Sequence, residues 1–280
     1  MTNLPKYSKI SLVSVVVIAL LPMIVSSQEK KEFSYTVGPK AIISITNNYG
    51  PITVKPSRDD QVVVRTVSNS EAVSFENQRH GNRIELRSIS TQLGNSLVDY
   101  TVLVPRKALV SLRSSDGNLH AQGLRGDVIL ETETAIVEVS DIRDAHLHVK
   151  TLSGPVNLTD IRNSNLDVQS VGGNVNIHNV TESSVKVNSG GGRINYDGDP
   201  GPAGEYRLTS HAGDLEISIP ISASVEIEAP TVDGESDENF PRLDGASALS
   251  FKNLFQKSEI SNPSGFVLRS FKGKIHVKRP

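Results

Sequence analysis

Short runs of alternating apolar and polar residues fill most of the chain, and turn residues separate them. Between residues 33 and 113 the runs lie at 43–45, 52–54, 62–64, 84–86 and 98–104. Runs of this kind predict β-strands with one buried face, whereas an amphipathic helix needs an apolar stripe with a period of 3.6 residues. No such stripe is sustained in the sequence, so the pattern predicts an all-β protein.

From residue 114 onward, the alternation repeats with a period of about 19 residues. Small turn residues stand 18, 19, 19, 19 and 21 residues apart, at Gly117, Ala135, Gly154, Gly173, Gly192 and Gly213. An apolar residue follows each of them two positions later, at Leu119, Val137, Val156, Val175, Ile194 and Leu215. Each repeat then contains a second alternating run. Its first inner apolar position is Val128, Leu147, Leu166, Val185, Tyr206 or Val225 in successive repeats. Single apolar residues also recur between the two strands, at Leu124, Ile142, Ile161 and Val180.

Two short strands per repeat predict a parallel β-solenoid or β-roll with about 19 residues per coil. Stacking the coils about 4.8 Å apart would join equivalent strands into ladders and equivalent apolar residues into inner columns. The expected hand is right-handed. An immunoglobulin-like sandwich is the alternative, but it explains the alternation without explaining the fixed phase.

The repeat divides the chain into five expected segments. These are a signal peptide at 1–27, an N-terminal β-strand region at 28–113, solenoid repeats at 114–229, an acidic loop or cap insertion at 230–265 and a final coil at 266–280. Because the ends of a solenoid expose unpaired strand edges, we expect the N-terminal strands to cap one end. The insertion is the candidate cap of the other end, through Phe240, Phe251, Leu254 and Phe255.

The N-terminus has the pattern of an export signal. Lys6 and Lys9 precede a mostly apolar run at 10–25, and small residues follow at 25–27. This order predicts cleavage after Ser27 and a periplasmic, cell-surface or secreted protein. The alternative is an uncleaved anchor, which would be the only membrane contact expected.

The composition excludes several classes of site and partner. The chain has no cysteine, which excludes disulfides, a thiol nucleophile and a cysteine zinc site. Loss of the two leader lysines would change the formal net charge from −2 to −4, which argues against a nucleic-acid partner. No motif implies a cofactor or a resident metal.

Asp141 and Asp160 are the strongest catalytic candidates because they hold the same phase on successive coils. Two stacked carboxylates could bind Ca²⁺ or act as a glycosidase pair. Arg143 and Arg162 stand two residues after them, which favours a salt-bridge ladder instead.

Three other motifs favour structural roles. His146 and His148 should both face outward and could begin a zinc site, but no third ligand has suitable spacing. The Arg125-Gly126-Asp127 tripeptide partly follows the repeat register, since Asp127-Val128 aligns with Asp167-Val168. The glycines at 190–192 precede a strand, whereas a phosphate loop precedes a helix.

Asn157, Asn176 and Asn195 form an outward column on three consecutive coils and are the candidate ligand-binding residues. A flat strip of amides could bind sugar hydroxyls. The same amides could instead hydrogen-bond along the column and stabilise the coils.

The turn segments at 170–175 (SVGGNV) and 210–215 (SHAGDL), with the closing FKGKI at 271–275, resemble a known group. The chain is similar over about residues 40–280 to the bacterial putative-adhesin family of exported β-strand-repeat proteins, a domain of unknown function. This resemblance implies a β-repeat fold and an extracytoplasmic location, and it supplies no catalytic residues.

We therefore expect a non-enzymatic adhesin or interaction scaffold that contacts a cell-surface glycan or an envelope protein. One alternative is a β-helix polysaccharide lyase or hydrolase that uses Asp141 and Asp160. A further alternative is an envelope-stress signalling partner, which a large exposed apolar patch would favour.

Overall fold

The computed structural model describes residues 29–70, 72–90, 96–229, 249–250 and 262–280. The predicted signal peptide and most of the 230–265 insertion, with Phe240, Phe251, Leu254 and Phe255, lie outside these residues. The strands are β1 (Glu29–Thr36), β2 (Ile42–Asn47), β3 (Ile52–Pro56), β4 (Gln61–Ser68), β5 (Val73–His80), β6 (Arg83–Ser90), β7 (Val98–Val104), β8 (Leu109–Ser114), β9 (Leu119–Gln122), β10 (Val128–Thr132), β11 (Val137–Arg143), β12 (His146–Thr151), β13 (Val156–Arg162), β14 (Asn165–Ser170), β15 (Val175–Thr181), β16 (Ser184–Ser189), β17 (Ile194–Asp197), β18 (Glu205–Ser210), β19 (Leu215–Ser218), β20 (Val225–Ala229), β21 (Leu249–Ser250), β22 (Ser264–Ser270) and β23 (Ile275–Lys278).

Two sheets contain all of these strands. Sheet A has the order β1-β4-β7-β3-β9-β11-β13-β15-β17-β19-β23, and sheet B has the order β21-β20-β22-β18-β16-β14-β12-β10-β8-β2-β6-β5. Pairing is parallel along the stack. It is antiparallel between β1, β4 and β7 and between β5 and β6 at the N-terminal end, and between β20 and β21 at the other end of sheet B. The predicted all-β solenoid with N-terminal capping strands is confirmed.

The 19-residue phase of the sequence becomes the register of the ladders. Val137 pairs with Val156, which pairs with Val175 on the next coil. The single apolar residues that the sequence placed between the strands, such as Ile142 and Ile161, lie instead near the ends of β11 and β13, pair with each other and are fully buried. One packed core thus runs along the stack between the two sheets.

At one corner of each coil, where sheet B leads into sheet A, a hydroxyl residue stands three positions before the small turn residue. The Ser170 hydroxyl donates to the Gly173 carbonyl at 2.7 Å, and the Ser210 hydroxyl accepts from the Gly213 amide at 2.9 Å. The sequence analysis missed this buried series, which comprises Ser114, Thr132, Thr151, Ser170, Ser189, Ser210 and Ser270.

The corner glycines let successive backbones approach closely. A Cβ added at Gly173 would lie 2.1 Å from the Gly154 carbonyl oxygen, and one at Gly192 would lie 2.1 Å from that of Gly173. Because these oxygens belong to the backbone, they cannot move aside without disturbing the ladder.

The parallel stack begins well before the predicted repeats. Strand β2 pairs in parallel with β8, and β3 pairs in parallel with β9. The predicted boundary between residues 113 and 114 therefore falls inside two continuous sheets.

Strand β22 enters the stack out of chain order. Tyr206 pairs with Phe266 of β22, and Ile227 of β20 lies on the far side of β22. The expectation that Val225 stacks directly on Tyr206 is wrong. Strand β22 ends in Ser270 and the Gly273 turn, which continue the corner series, whereas no hydroxyl ends β20, whose last residue is Ala229.

Aromatic rings fill the core where the coil between Gly192 and Gly213 is two residues longer than the coils before it. The Tyr206 and Phe266 rings stack 4.4 Å apart, and Tyr196 meets Tyr206 edge-on at 5.1 Å. Both tyrosine hydroxyls donate to the Val180 carbonyl, at 2.9 and 2.8 Å. The rings thus replace the aliphatic column and satisfy a buried backbone oxygen.

We expect Gly173→Ala to lower the free energy of unfolding by about 1–3 kcal/mol, because its methyl group overlaps the Gly154 carbonyl. Gly172→Ala is the matched control, since its Cβ would lie 3.7 Å from the nearest atom, and it should change stability by less than about 0.5 kcal/mol. Chemical denaturation measures both values. Equal stability of the two variants would contradict the close-approach explanation.

Alkaline pH should destabilise the protein through its buried tyrosines. Burial raises the pKa of Tyr100 to about 12 and also raises the pKa of Tyr196 and of Tyr206. Tyrosine in an unfolded chain ionises near pH ~10, so above that pH the unfolded state loses protons that the folded state keeps. The free energy of unfolding should then fall as pH rises. Circular dichroism and phenolate absorbance, followed together, test this. Full phenolate formation without loss of fold would contradict it.

Candidate functional site

The three predicted asparagines form a hydrogen-bonded ladder on the outer face of sheet A. The Asn176 amide nitrogen donates to Oδ1 of Asn157 at 2.8 Å, and the Asn195 amide nitrogen donates to Oδ1 of Asn176 at 2.8 Å. The side-chain oxygen of Asn195 ends the ladder without a hydrogen-bond partner. All three residues are half-buried. The structure therefore brings the predicted residues together, in the hydrogen-bonded arrangement that the sequence left as the alternative.

Asp141 and Asp160 occupy left-handed backbone positions, with φ of 52° and 55°. Aspartate and asparagine enter this region more readily than most residues, which explains why Asn179, with φ of 53°, holds the same place one coil later. The carboxylates have separate partners: Asp141 contacts Nε of Arg143 at 3.3 Å, and Asp160 accepts from Asn179 at 2.5 Å.

The expected salt-bridge ladder forms only in part. Arg143 and Arg162 lie in register on β11 and β13. Arg162 contacts Glu182 at 3.4 Å, whereas Arg143 contacts Asp141. Asp160 therefore has an amide partner in place of the arginine that the sequence suggested.

Four histidines pair with carboxylates one coil away. His146 contacts Asp127 at 3.1 Å, and His148 contacts Asp167 at 3.5 Å. The remaining pairs, on sheet A, are His120 with Glu138 at 3.4 Å and His178 with Asp197 at 3.0 Å. Within the described ranges, no group of three or more such side chains is placed to hold a metal ion.

The structure explains two residues of the Arg125-Gly126-Asp127 tripeptide. A Cβ at position 126 would lie 2.1 Å from the Ala108 carbonyl oxygen, so glycine fits there. Asp127 contacts His146 of the next coil. This tripeptide is therefore part of the coil stacking.

Two adjoining grooves lie on sheet B and its corner, away from the asparagine ladder. Their volumes are about 470 and 390 Å³, and both are lined by Lys150, Thr151 and Val171. The second groove also contains Gln169 and Asn188. Sequence reasoning missed these grooves, although apolar residues at corner positions, such as Leu152 and Val171, were a visible signal of an exposed surface.

The fold and its surfaces define a parallel β-solenoid with a packed core and side-chain rows on both outer faces. The chain belongs to the Toastrack DUF4097 family, whose model matches residues 41–247. This match covers most of the chain and confirms the resemblance that the repeats predict. Among the described residues, no helix combines the length and apolar character needed to span a membrane.

Three solved structures are similar to this chain at low identity. A putative adhesin from Bacteroides fragilis is 12% identical with a TM-score of 0.49, covering 90% of this chain and 98% of its own. A putative lipid binding protein from Parabacteroides distasonis is 10% identical with a TM-score of 0.42, covering 89% and 96%. A putative cell adhesion protein from Clostridium sporogenes is 12% identical with a TM-score of 0.29, covering 90% and 100%. Comparison with curated proteins finds no match.

We expect Asn176→Ala to lower the free energy of unfolding by about 1–3 kcal/mol, because it leaves the ladder partners of Asn176 without their hydrogen bonds. Asn188→Ala is the control on the opposite sheet, where the amide has no partner among the described residues, and it should cost less than about 0.5 kcal/mol. Thermal and chemical denaturation measure the difference. A larger effect at Asn188 would contradict the structural role of the ladder.

Proposed function

We propose that this protein is an exported, non-catalytic scaffold that binds a glycan or an envelope protein at the cell surface or in the periplasm. One observation carries the proposal: the solenoid repeats solvent-facing side chains coil after coil beside open grooves. Gln169 pairs in register with Asn188, and Lys150 with Gln169, along one such row. A repeating row of this kind suits an extended ligand that offers repeating groups.

The packed core makes these rows rigid. Inner residues such as Val149 and Val168 are fully buried, and each strand is hydrogen-bonded to its neighbours along the sheet. Side chains held on such a frame lose little backbone freedom when a ligand binds, which favours affinity. The leader pattern of the sequence supports the proposed location outside the cytoplasm.

Polysaccharide cleavage is the rival function, and the candidate carboxylates do not favour it. A glycosidase needs two carboxyl groups that face one bond from opposite sides. Asp141 contacts Arg143, and Asp160 accepts a hydrogen bond from Asn179, so each carboxylate serves its own local contact.

An envelope protein is the second candidate partner. Leu152 and Val171 are 53% and 60% exposed on neighbouring coils, and they would be buried by a protein that docks on the corner. Exposed apolar neighbours of this kind are typical of interaction surfaces.

The full chain, expressed with its own N-terminal segment, should retain polysaccharide without shortening it. We would incubate it with acidic and neutral polysaccharides, with and without Ca²⁺, and measure both retention and released fragments. Asp141→Asn and Asp160→Asn are suitable variants because asparagine also adopts the left-handed backbone. We expect no fragments from the parent or from either variant. Fragment release that these substitutions abolish would overturn the scaffold and show an enzyme.

A further inference from the structure

One corner of the solenoid carries an unusual charge pattern. We name this surface the corner strip, and it consists of residues 150–153, 169–172, 188–191, 209–212 and 269–272. Its segments stack in register through backbone hydrogen bonds, such as Gly172 N–H to Leu152 and Lys272 N–H to His211. The strip contains Lys150, Arg269 and Lys272 and neither aspartate nor glutamate. It is bounded on the preceding coil by Glu131, which lies in register with Lys150 and lines the adjoining groove.

One row of polar side chains in the corner strip is available to a ligand. Lys150, Gln169, Asn188, Thr209 and Arg269 form one row in register on sheet B. None of their side chains makes an ion pair or a hydrogen bond with another described residue. The asparagine ladder on sheet A differs in this respect, because its amides bond to one another.

Apolar side chains border this row. Leu152 and Val171 are more than half exposed, and Phe271 is 43% exposed and lies 5.7 Å from the His211 ring. Gly190 and Gly191 stand between these two groups, and Gly190 lines the groove of about 390 Å³. The strip therefore combines a groove, unpartnered amides, three cations and exposed apolar surfaces.

We infer that the corner strip binds a carboxylate-bearing polysaccharide, a conclusion that rests on the proposed scaffold function. Lysine and arginine would meet the carboxylates, and the Gln169 and Asn188 amides can both donate to and accept from sugar hydroxyls. The apolar side chains would pack against the carbon-bound faces of the sugar rings. Lys150 and Arg269 lie about 19 Å apart at the spacing of stacked strands, so the ligand is an extended chain.

A membrane surface is less suited to the same residues. Insertion into lipid requires apolar side chains that project together, whereas the Gly190-Gly191 pair interrupts the apolar row. The neutral amides lie within the groove, where a chain of hydroxyl groups can reach them.

The test measures binding of the full chain to polygalacturonate, alginate and hyaluronate, with dextran as the neutral polymer. Lys150→Gln with Lys272→Gln should weaken binding of at least one acidic polymer by about tenfold, and added salt should weaken it further. Lys55→Gln with Lys186→Gln is the matched control, because it removes the same charge from exposed positions outside the strip.

A second variant adds charge without removing a contact. Gly191→Glu places a carboxylate in the strip where a Cβ meets nothing closer than 3.9 Å, and Gly265→Glu adds the same charge on sheet B where nothing lies within 4 Å. We expect the first to weaken binding and the second to leave it unchanged, with circular dichroism confirming that both fold.

Four outcomes would overturn the inference. They are equal binding of dextran, failure of all three acidic polymers to bind, binding that the strip variants leave intact, and strip-dependent binding to phosphatidylserine vesicles in place of the polymers. Each of these leaves the scaffold function standing with a different ligand or surface. Release of shortened polymer would instead overturn the scaffold function itself.

Discussion

The close contact of backbones at the solenoid corner is the constraint on which the rest of the structure depends. Hydrogen-bonded strands fix the distance between coils, and at that distance the corner carbonyl of one coil leaves no room for a Cβ at Gly192 or Gly213 of the next. The buried hydroxyl three residues earlier closes the same turn. Together, these contacts keep each coil in phase with the one before it, and the inner columns and outer rows follow from that phase.

The same phase produces two outer faces with different chemistry. On sheet A the amides of Asn157 and Asn176 face each other and bond, so repetition stabilises the coils. At the corner of sheet B, Gln169 and Asn188 also face each other in register, yet they make no such bond. Identical spacing therefore gives a structural ladder on one side and a free polar row on the other. Repetition alone therefore does not identify a binding surface, because the asparagines bond to one another whereas Gln169 and Asn188 do not.

Much of this architecture could be predicted from local patterns. Inner columns such as Ile142 and Ile161 are visible because burial repeats with the coil, and the asparagine ladder is visible because three identical residues share a phase. The insertion of β22 between β18 and β20 could not be predicted in this way. It depends on contacts between residues far apart in the chain: Phe266 stacks on Tyr206, and the Ser264 hydroxyl accepts from the Gly204 amide. Val225 is therefore displaced from the position beside Tyr206.

Other features could not be predicted from the sequence, also for physical reasons. The early start of the stack was obscured because β2 and β3 pair with strands more than 60 residues away in the chain. The partners of Asp141 and Asp160 depend on a left-handed backbone, which alternation in sequence does not reveal. The groove at the corner was missed because the glycine pair and the two exposed apolar residues form one surface only when the coils are stacked.

Hydrogen–deuterium exchange of the full chain, with and without polygalacturonate, tests most directly which face of the solenoid binds. The structure predicts that the polymer slows exchange at residues 169–172, 188–191 and 209–212 and leaves the strands of Asn157, Asn176 and Asn195 unchanged. Protection confined to the asparagine strands would contradict the assignment of the binding surface to the corner strip.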